Sequence, residues 1–137
     1  MYEVSVESRF TARHAVAMPD GRMEASHGHL WQVTAAFRGD RLDPATGVLV
    51  DFVEVKAALD ALTRELDGTD LNAIEAFASG EPSAERVAEF LAGRLIRALT
   101  GKAGLWRLEV TEAPGCRAAF LPDVDGGPRR PYDGVAR

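Results

Sequence analysis

Residues 27–37 read HGHLWQVTAAF, a stretch in which side chains of two kinds alternate. One side carries most of the bulky apolar groups together with two histidines: His27, His29, Trp31, Val33, Ala35 and Phe37. The other side carries Leu30, Gln32 and Thr34 and continues into Arg38. A period of two is typical of a β-strand with one face buried. The pattern therefore predicts a strand whose buried face bears both histidines.

The preceding segment from Tyr2 to His14 shows the same alternation, with its apolar side chains at even positions. It predicts a second half-buried strand, with His14 on the apolar face if no bulge intervenes. Between the two strands, residues 18–22 read MPDGR and contain a Pro-Asp-Gly turn signal. The connection is longer than a tight hairpin needs, so we expect a functional loop here.

Two amphipathic helices are predicted in the middle of the chain. The first begins near Asp51, which with Glu54 resembles a capping box. Its apolar stripe has spacings of three and four and consists of Phe52, Val55, Leu59, Leu62 and Leu66. The second begins after a cap at Ser83. Its stripe consists of Val87, Leu91, Leu95 and Ala98.

Alternation returns at residues 105–113, where Trp106, Leu108, Val110 and Glu112 share one predicted face. A short strand through residues 118–120 follows. The element order ββααββ predicts an α+β fold, in which an antiparallel four-stranded sheet carries both helices on one face.

The composition excludes several classes of protein. The chain has 137 residues, which suits one domain, and its net charge of -5 with no basic run argues against a nucleic-acid partner. No apolar stretch approaches the roughly 20 residues of a membrane span, so we expect a soluble, cytoplasmic protein with no membrane partner. The single cysteine, Cys116, excludes an intrachain disulfide and a thiolate-rich metal site. Any metal must therefore be held by imidazole and carboxylate groups.

The three histidines of the chain, His14, His27 and His29, all fall on predicted core-facing positions of neighbouring strands. Residues i and i+2 of a strand point the same way, so the His-Gly-His pair can reach one ion while His14 approaches from the adjacent strand. Three imidazoles with an open fourth position are typical of a catalytic zinc site. The alternative for the His-Gly-His pair alone is ordinary surface or core packing.

Five other residues are candidates for a functional role, and each also has a structural interpretation. Glu112 is aligned with apolar neighbours and can pair with the ring nitrogen and exocyclic amine of a pterin or guanine, or it is a solvated strand end. Asp67 and Asp70, in LDGTDLN, can be turn and cap residues. Glu24 is either a general base near a metal or a solvated loop charge. Cys116 has no histidine left to activate it, which favours a structural role.

Six segments, in order, resemble the 6-pyruvoyl and 6-carboxy tetrahydropterin synthases over residues 2–121: RFTARHAV, SHGHLWQV, GVLVDFVEVKAAL, LDGTDLN, PSAERVAEFL and VTEAPGCRAAF. The resemblance implies the tunnelling fold (T-fold), with one domain over residues 1–122 and a C-terminal tail over 123–137. It also implies a homohexamer, zinc bound by His14, His27 and His29, and a pterin ring anchored by Glu112 in a pocket shared between subunits.

The chain departs from this family at two positions. Members usually carry a catalytic cysteine shortly before His-Gly-His, where this chain has Met23, and a histidine after the aspartate that matches Asp67, where it has Gly68. A variant branch instead has a glutamate three residues before the first histidine, the position of Glu24. That branch resembles an aldolase that cleaves the side chain of dihydroneopterin triphosphate to give a 6-hydroxymethyl pterin.

The leading hypothesis is a zinc-dependent lyase acting on 7,8-dihydroneopterin triphosphate or a related dihydropterin. Glu24 and Asp67 are its candidate proton-transfer groups, and side-chain cleavage is one of its possible outcomes. The alternative is a non-catalytic pterin- or purine-binding paralogue, and a third possibility is a purely structural metal site.

Overall fold

The computed structural model describes residues 1–78, 80–99 and 104–122 of the chain. Its strands are β1 (Tyr2–His14), β2 (His27–Gly39), β3 (Thr69–Asp70), β4 (Leu105–Ala113) and β5 (Cys116–Phe120). Its helices are α1 (Phe52–Leu66) and α2 (Ala84–Ala98), and two 3-10 turns, Leu71–Ala73 and Glu75–Phe77, lie between them. The tail assigned to residues 123–137 lies outside the described residues.

The sheet has the strand order β3-β1-β2-β4-β5. The pairs β1–β2, β2–β4 and β4–β5 are antiparallel, as predicted, whereas β3 pairs in parallel with β1 at Ala12 and Arg13. The α+β class is therefore confirmed, and the sheet is a mixed one of five strands instead of an antiparallel one of four. A strand of two residues is too short to show any alternation, so β3 left no signal in the sequence.

Both helices begin at the predicted caps. The Asp51 carboxylate accepts a hydrogen bond from the Val53 amide at 2.9 Å, and the Ser83 hydroxyl accepts one from the Arg86 amide at 3.3 Å. The predicted stripes are buried except at their ends, where Phe52 and Ala98 are exposed. The chain leaves helical geometry at Leu99, which turns its side chain inward in place of Ala98.

A β-bulge corrects the predicted register of β4. The pairing of β2 with β4 shifts between Ala36 and Phe37, so that Phe37 lies opposite Leu105. Leu105 is consequently buried in the core, while Trp106 stacks under the Arg38 guanidinium, 3.3 Å from the ring centroid. The bulge adds one residue to β4, so the inward and outward directions of its side chains are exchanged on one side of the bulge. Trp106 is for this reason not on the face that bears Leu108 and Val110.

The core lies between the sheet and the two helices. Its largest fully buried apolar side chains come from both layers: Phe10, Trp31, Phe37, Leu59, Leu71, Leu91, Leu95 and Leu108. The same sheet face continues beyond Trp31 to the histidine-bearing ends of β1 and β2. No helix among the described residues is long and apolar enough to cross a membrane.

Candidate metal centre

The register of β1 and β2 brings the three histidines together. His14 lies directly opposite His27, and Ala12 lies opposite His29, so all three rings project from one sheet face. The ring centroids of His14, His27 and His29 are 4.6 to 5.1 Å apart. Since both strands are continuous through these positions, no bulge disturbs the predicted alternation.

His14 is the buried member of the group, with 1% of its side chain exposed. Its Nδ1 atom lies 2.8 Å from the carbonyl oxygen of Pro82, the residue that precedes the N-cap of α2. A carbonyl oxygen only accepts, so Nδ1 carries the ring proton. In the neutral ring the Nε2 atom then keeps its lone pair, and it has no hydrogen-bond partner among the described residues.

His27 is oriented in the same way by its own loop. Its Nδ1 atom lies 2.8 Å from the carbonyl oxygen of Ala25, which again assigns the proton to Nδ1 and the lone pair to Nε2. The Nε2 atom of His29 is buried, and no described residue is its hydrogen-bond partner. Burial lowers the pKa of His29, and the nearby carboxylate of Glu112 only partly opposes this effect. His29 is thus neutral at pH 7, as a metal-binding imidazole must be.

Glu112 of β4 completes the group. Its Oε1 atom is 2.7 Å from Nε2 of His14 and 3.7 Å from Nε2 of His29. One candidate ligand atom from each of the four side chains lies within 4.8 Å of all the others. These contacts place Glu112 on the sheet face that bears the histidines, in agreement with its predicted alignment with Leu108 and Val110.

These four residues fit a divalent metal. Two of the imidazoles donate a hydrogen bond from Nδ1 to a backbone carbonyl. This arrangement orients a histidine for metal binding through Nε2. Two buried Nε2 atoms without a partner would each cost free energy unless a cation satisfies them. Nitrogen and oxygen donors without thiolate suit zinc and similar metals.

Glu24 lies beside the centre, at the position that the resemblance to the variant branch implies. Its Oε1 atom is 3.7 Å from Nε2 of His27 and accepts a hydrogen bond from the Val16 amide at 3.0 Å. The residue at the position of the usual cysteine, Met23, forms an isolated β-bridge with Ala17 across the loop and is exposed. Cys116, the only cysteine, is exposed on β5.

Asp67 is not in contact with the four-residue group. It is the C-terminal cap of α1, and its Oδ1 atom accepts a hydrogen bond from the Thr11 amide at 2.8 Å. Asp70 caps the first 3-10 turn by accepting from the Asn72 amide, which agrees with its structural interpretation. Within one chain, Asp67 therefore has a structural partner, and its role in proton transfer stays a prediction.

Two contributors to the centre were missed in the sequence. The Pro82 carbonyl orients His14, and Asn72 binds the backbone of Ala15 with both ends of its amide, at 2.8 and 2.9 Å. Every residue has a backbone carbonyl, so the sequence does not indicate which one contacts His14. Asn72 was noticed only as part of a turn sequence, because its partner is 57 positions away.

A cavity of about 410 Å³ opens next to the centre. It is lined by His14 and Glu112, by the first turn of α2 at Ser83 and Glu85, and by Cys116 and Arg117. A larger groove of about 970 Å³ lies at the other end of the sheet, beside Phe37, Leu49 and Phe52. The smaller cavity is the candidate ligand site because it alone of these two contains the groups that can do chemistry.

An α+β fold with three histidines and a glutamate converging at one end of its sheet defines a candidate metalloenzyme. Comparison with known proteins identifies which kind. Residues 3–123 match the family model for 6-pyruvoyl tetrahydropterin synthase, and this chain belongs to that family. The family consists of pterin-metabolising enzymes of the lyase type.

Two characterised relatives show what activities accompany similar sequences. Dihydroneopterin monophosphate aldolase of Pyrococcus furiosus is 30% identical over 103 residues, which cover 75% of this chain and 82% of the relative. The 6-carboxy-5,6,7,8-tetrahydropterin synthase of a Synechocystis strain is 31% identical over 125 residues, covering 88% of this chain and 94% of the relative.

Solved structures confirm the fold. The 6-pyruvoyl tetrahydropterin synthase of Caenorhabditis elegans superimposes with a TM-score of 0.75 at 19% identity, covering 90% of this chain and 98% of the other. A Plasmodium vivax 6-pyruvoyltetrahydropterin synthase, solved as a variant with a catalytic glutamate replaced by alanine, gives a TM-score of 0.71 at 18% identity, covering 90% of this chain and 98% of the other.

Proposed function

We propose that this chain is a zinc-dependent lyase that cleaves the side chain of a 7,8-dihydroneopterin phosphate, with Glu24 as the proton-transfer group. The observation that carries the proposal is the position of the Glu24 carboxylate, 3.7 Å from Nε2 of His27, in a loop that contains no thiol. An aldolase among the characterised relatives supports the same reaction class.

His14, His27 and His29 would hold the zinc ion. When bound, zinc supplies Lewis acidity that lowers the pKa of hydroxyl groups on the substrate side chain. The chain contributes the orientation of the three imidazoles, through the Pro82 and Ala25 carbonyls, and the partial exclusion of water around a buried His14.

Glu24 would act first as a base and then as an acid. It takes the proton from the hydroxyl on the second side-chain carbon, and that carbon becomes an aldehyde as its bond to the first carbon breaks. The electron pair of that bond passes into the pterin ring, and Glu24 returns the proton to the first carbon. The products are a 6-hydroxymethyl dihydropterin and a phosphorylated two-carbon aldehyde, so no external oxidant or reductant is needed.

Glu112 would anchor the pterin. A carboxylate that faces paired N–H donors of the ring nitrogen and the exocyclic amine forms two charge-assisted hydrogen bonds. The position of Glu112 on the wall of the cavity that also contains His14 supports this role. Asp67 remains a second candidate proton-transfer group, which would have to act on a site formed with another copy of the chain.

The test is product analysis by mass spectrometry. Zinc-loaded protein is incubated with dihydroneopterin triphosphate and, separately, with the monophosphate. We expect 6-hydroxymethyl dihydropterin, and we expect Glu24→Gln to abolish it, while Glu89→Ala, which changes an exposed glutamate of α2, leaves it unchanged. A 6-pyruvoyl or 6-carboxy product would refute side-chain cleavage but retain the family's other activities.

A non-catalytic pterin-binding protein is the alternative function. The observation in its favour is the absence of both usual proton-transfer groups, since Met23 and Gly68 occupy their positions. Binding of a dihydropterin to the zinc-loaded protein, measured by calorimetry, without any product after prolonged incubation would establish this alternative. Loss of that binding in a Glu112→Gln variant would locate the ligand.

A further inference from the structure

We infer that Glu81 and Asn72 are positioning residues that hold the loop of residues 15–24 against the metal centre and thereby place Glu24. The inference rests on the proposed function of Glu24. It concerns two residues that lie outside the metal and substrate groups described above, and it follows from how the loop is bonded to the rest of the molecule.

Three consecutive amides at the start of the loop donate to side chains. The Ala15 amide donates to Asn72 Oδ1 at 2.8 Å, the Val16 amide to Glu24 Oε1 at 3.0 Å, and the Ala17 amide to Glu81 Oε2 at 2.6 Å. These bonds replace the ladder partners that β1 loses after His14, because a strand end must find acceptors for its amides elsewhere. The loop is thus attached through side chains distant in sequence.

The loop itself is a short hairpin. Val16 and Glu24 are joined by a backbone hydrogen bond of 3.1 Å, Ala17 pairs with Met23, and the Met18 amide donates to the Arg22 carbonyl at 2.7 Å. Movement at Ala17 is therefore transmitted across the hairpin to the strand that carries Glu24. We call the two hydrogen bonds that Asn72 and Glu81 accept from the amides of residues 15 and 17 the clamp. By holding one strand of the hairpin, the clamp fixes the Glu24 carboxylate on the other.

Glu81 couples this hairpin to the metal centre. The adjacent residue, Pro82, offers the carbonyl that orients His14, and Ser83 then caps α2. One tripeptide therefore fixes the direction of a metal-binding imidazole and the position of the hairpin relative to it. Asn72 acts on the other side, where its amide both accepts from and donates to the backbone of Ala15.

Hydrogen exchange and kinetics together test the clamp in the full-length, zinc-loaded protein. We expect Glu81→Ala to accelerate exchange of the Ala17 amide about tenfold, because a hydrogen bond of ordinary net strength is lost. We expect kcat to fall about tenfold, with KM and zinc content unchanged. Glu81→Gln, which keeps an oxygen acceptor, should restore both values, and Asn72→Ala should produce the same pattern at Ala15.

Two further variants separate positioning from catalysis. Glu24→Gln keeps an acceptor for the Val16 amide, so exchange should stay slow while turnover is lost. Glu89→Ala should change neither quantity. Unchanged exchange in Glu81→Ala, or faster exchange with unchanged kcat, would overturn the inference. If the wild-type protein turns over no pterin at all, the proposed function fails, whereas exchange at residues 15–17 still decides whether the clamp exists.

Discussion

Nε2 of His14 lies 2.7 Å from Oε1 of Glu112, while Nδ1 of the same ring lies 2.8 Å from the carbonyl oxygen of Pro82. In the neutral ring the Pro82 carbonyl holds the single proton at Nδ1, and Nε2 then presents a lone pair to the carboxylate. Such a contact is repulsive unless a positive charge or a donor lies close to both atoms. The pair therefore marks the boundary between the metal position and the ligand cavity.

Replacing Glu112 by glutamine should weaken pterin binding and leave the zinc stoichiometry unchanged. The substitution preserves shape but removes the charge and replaces one of the two acceptor oxygens by an NH2 donor. The loss costs about 1.5–3 kcal/mol and corresponds to roughly a 10- to 150-fold rise in KM. Steady-state kinetics and elemental analysis measure the two quantities. Loss of zinc with an unchanged KM would instead make Glu112 a metal ligand.

His29→Ala and His14→Ala should both abolish stoichiometric zinc binding. Only His14→Ala should also destabilise the metal-free protein substantially. His29 is at the rim of the core, with 21% of its side chain exposed, so its loss should cost less than about 1 kcal/mol. His14 is buried against Trp31, and its removal leaves a cavity that should cost about 2–4 kcal/mol.

Urea unfolding in the presence of a chelator measures the second part of this prediction, and elemental analysis measures the first. The wild-type protein under the same conditions is the control. Equal stabilities of the two variants would show that His14 contributes little packing energy, and full zinc occupancy in either variant would show that the ion is held elsewhere.

The sequence predicted those parts of the site that depend on alternation. His14, His27, His29 and Glu112 converge because each lies on the buried face of a strand, and period two assigns that face without knowledge of the fold. Glu24 could be placed only through the resemblance to the variant branch, since a lone loop glutamate has no periodicity that reveals its direction.

Features that depend on long-range pairing could not be predicted. Trp106 was assigned to the face of Leu108 and Val110 because nothing in residues 105–113 reveals the bulge opposite Phe37. The two-residue strand at Thr69 and the Pro82 carbonyl contact depend on pairing between segments that are more than 50 positions apart. A local pattern contains no information about such partners.

Asp60 should make the fold sensitive to acid. Hydrogen bonds from Lys56 at 2.8 Å and from Ser8 at 2.7 Å lower the pKa of the Asp60 carboxyl. A lowered pKa in the folded state contributes stability that is present above the unfolded-state value of about 3.9 and is lost as pH falls through the folded-state pKa. Partial exposure and solvent screening limit this contribution to about 1 kcal/mol or less.

Comparison of the wild-type protein with Asp60→Asn in urea at several pH values measures the effect. The difference in unfolding free energy should be largest near pH 7. It should shrink below the unfolded-state value of about 3.9, as first the unfolded and then the folded carboxyl becomes protonated. Asp40→Asn, at an exposed position on the far end of the sheet, is the matched control. A difference that grew as the pH fell would contradict the assignment.

Replacement by alanine should lower the free energy of unfolding at Gly68 and raise it at Gly93. Gly68 follows α1 with φ +73, a left-handed conformation that costs a residue with a Cβ about 1 kcal/mol. Apart from its two chain neighbours, no described residue has an atom within 4 Å of the added carbon. Gly93 lies inside α2 with equally open space, so alanine there should stabilise the protein by about 0.5–1 kcal/mol. Urea midpoints should therefore move in opposite directions, and a parallel shift would show that local contacts outweigh backbone conformation.

The open space around Gly68 should also accommodate a larger side chain. Gly68→His, which restores the usual family histidine, should therefore fold with a similar loss of stability.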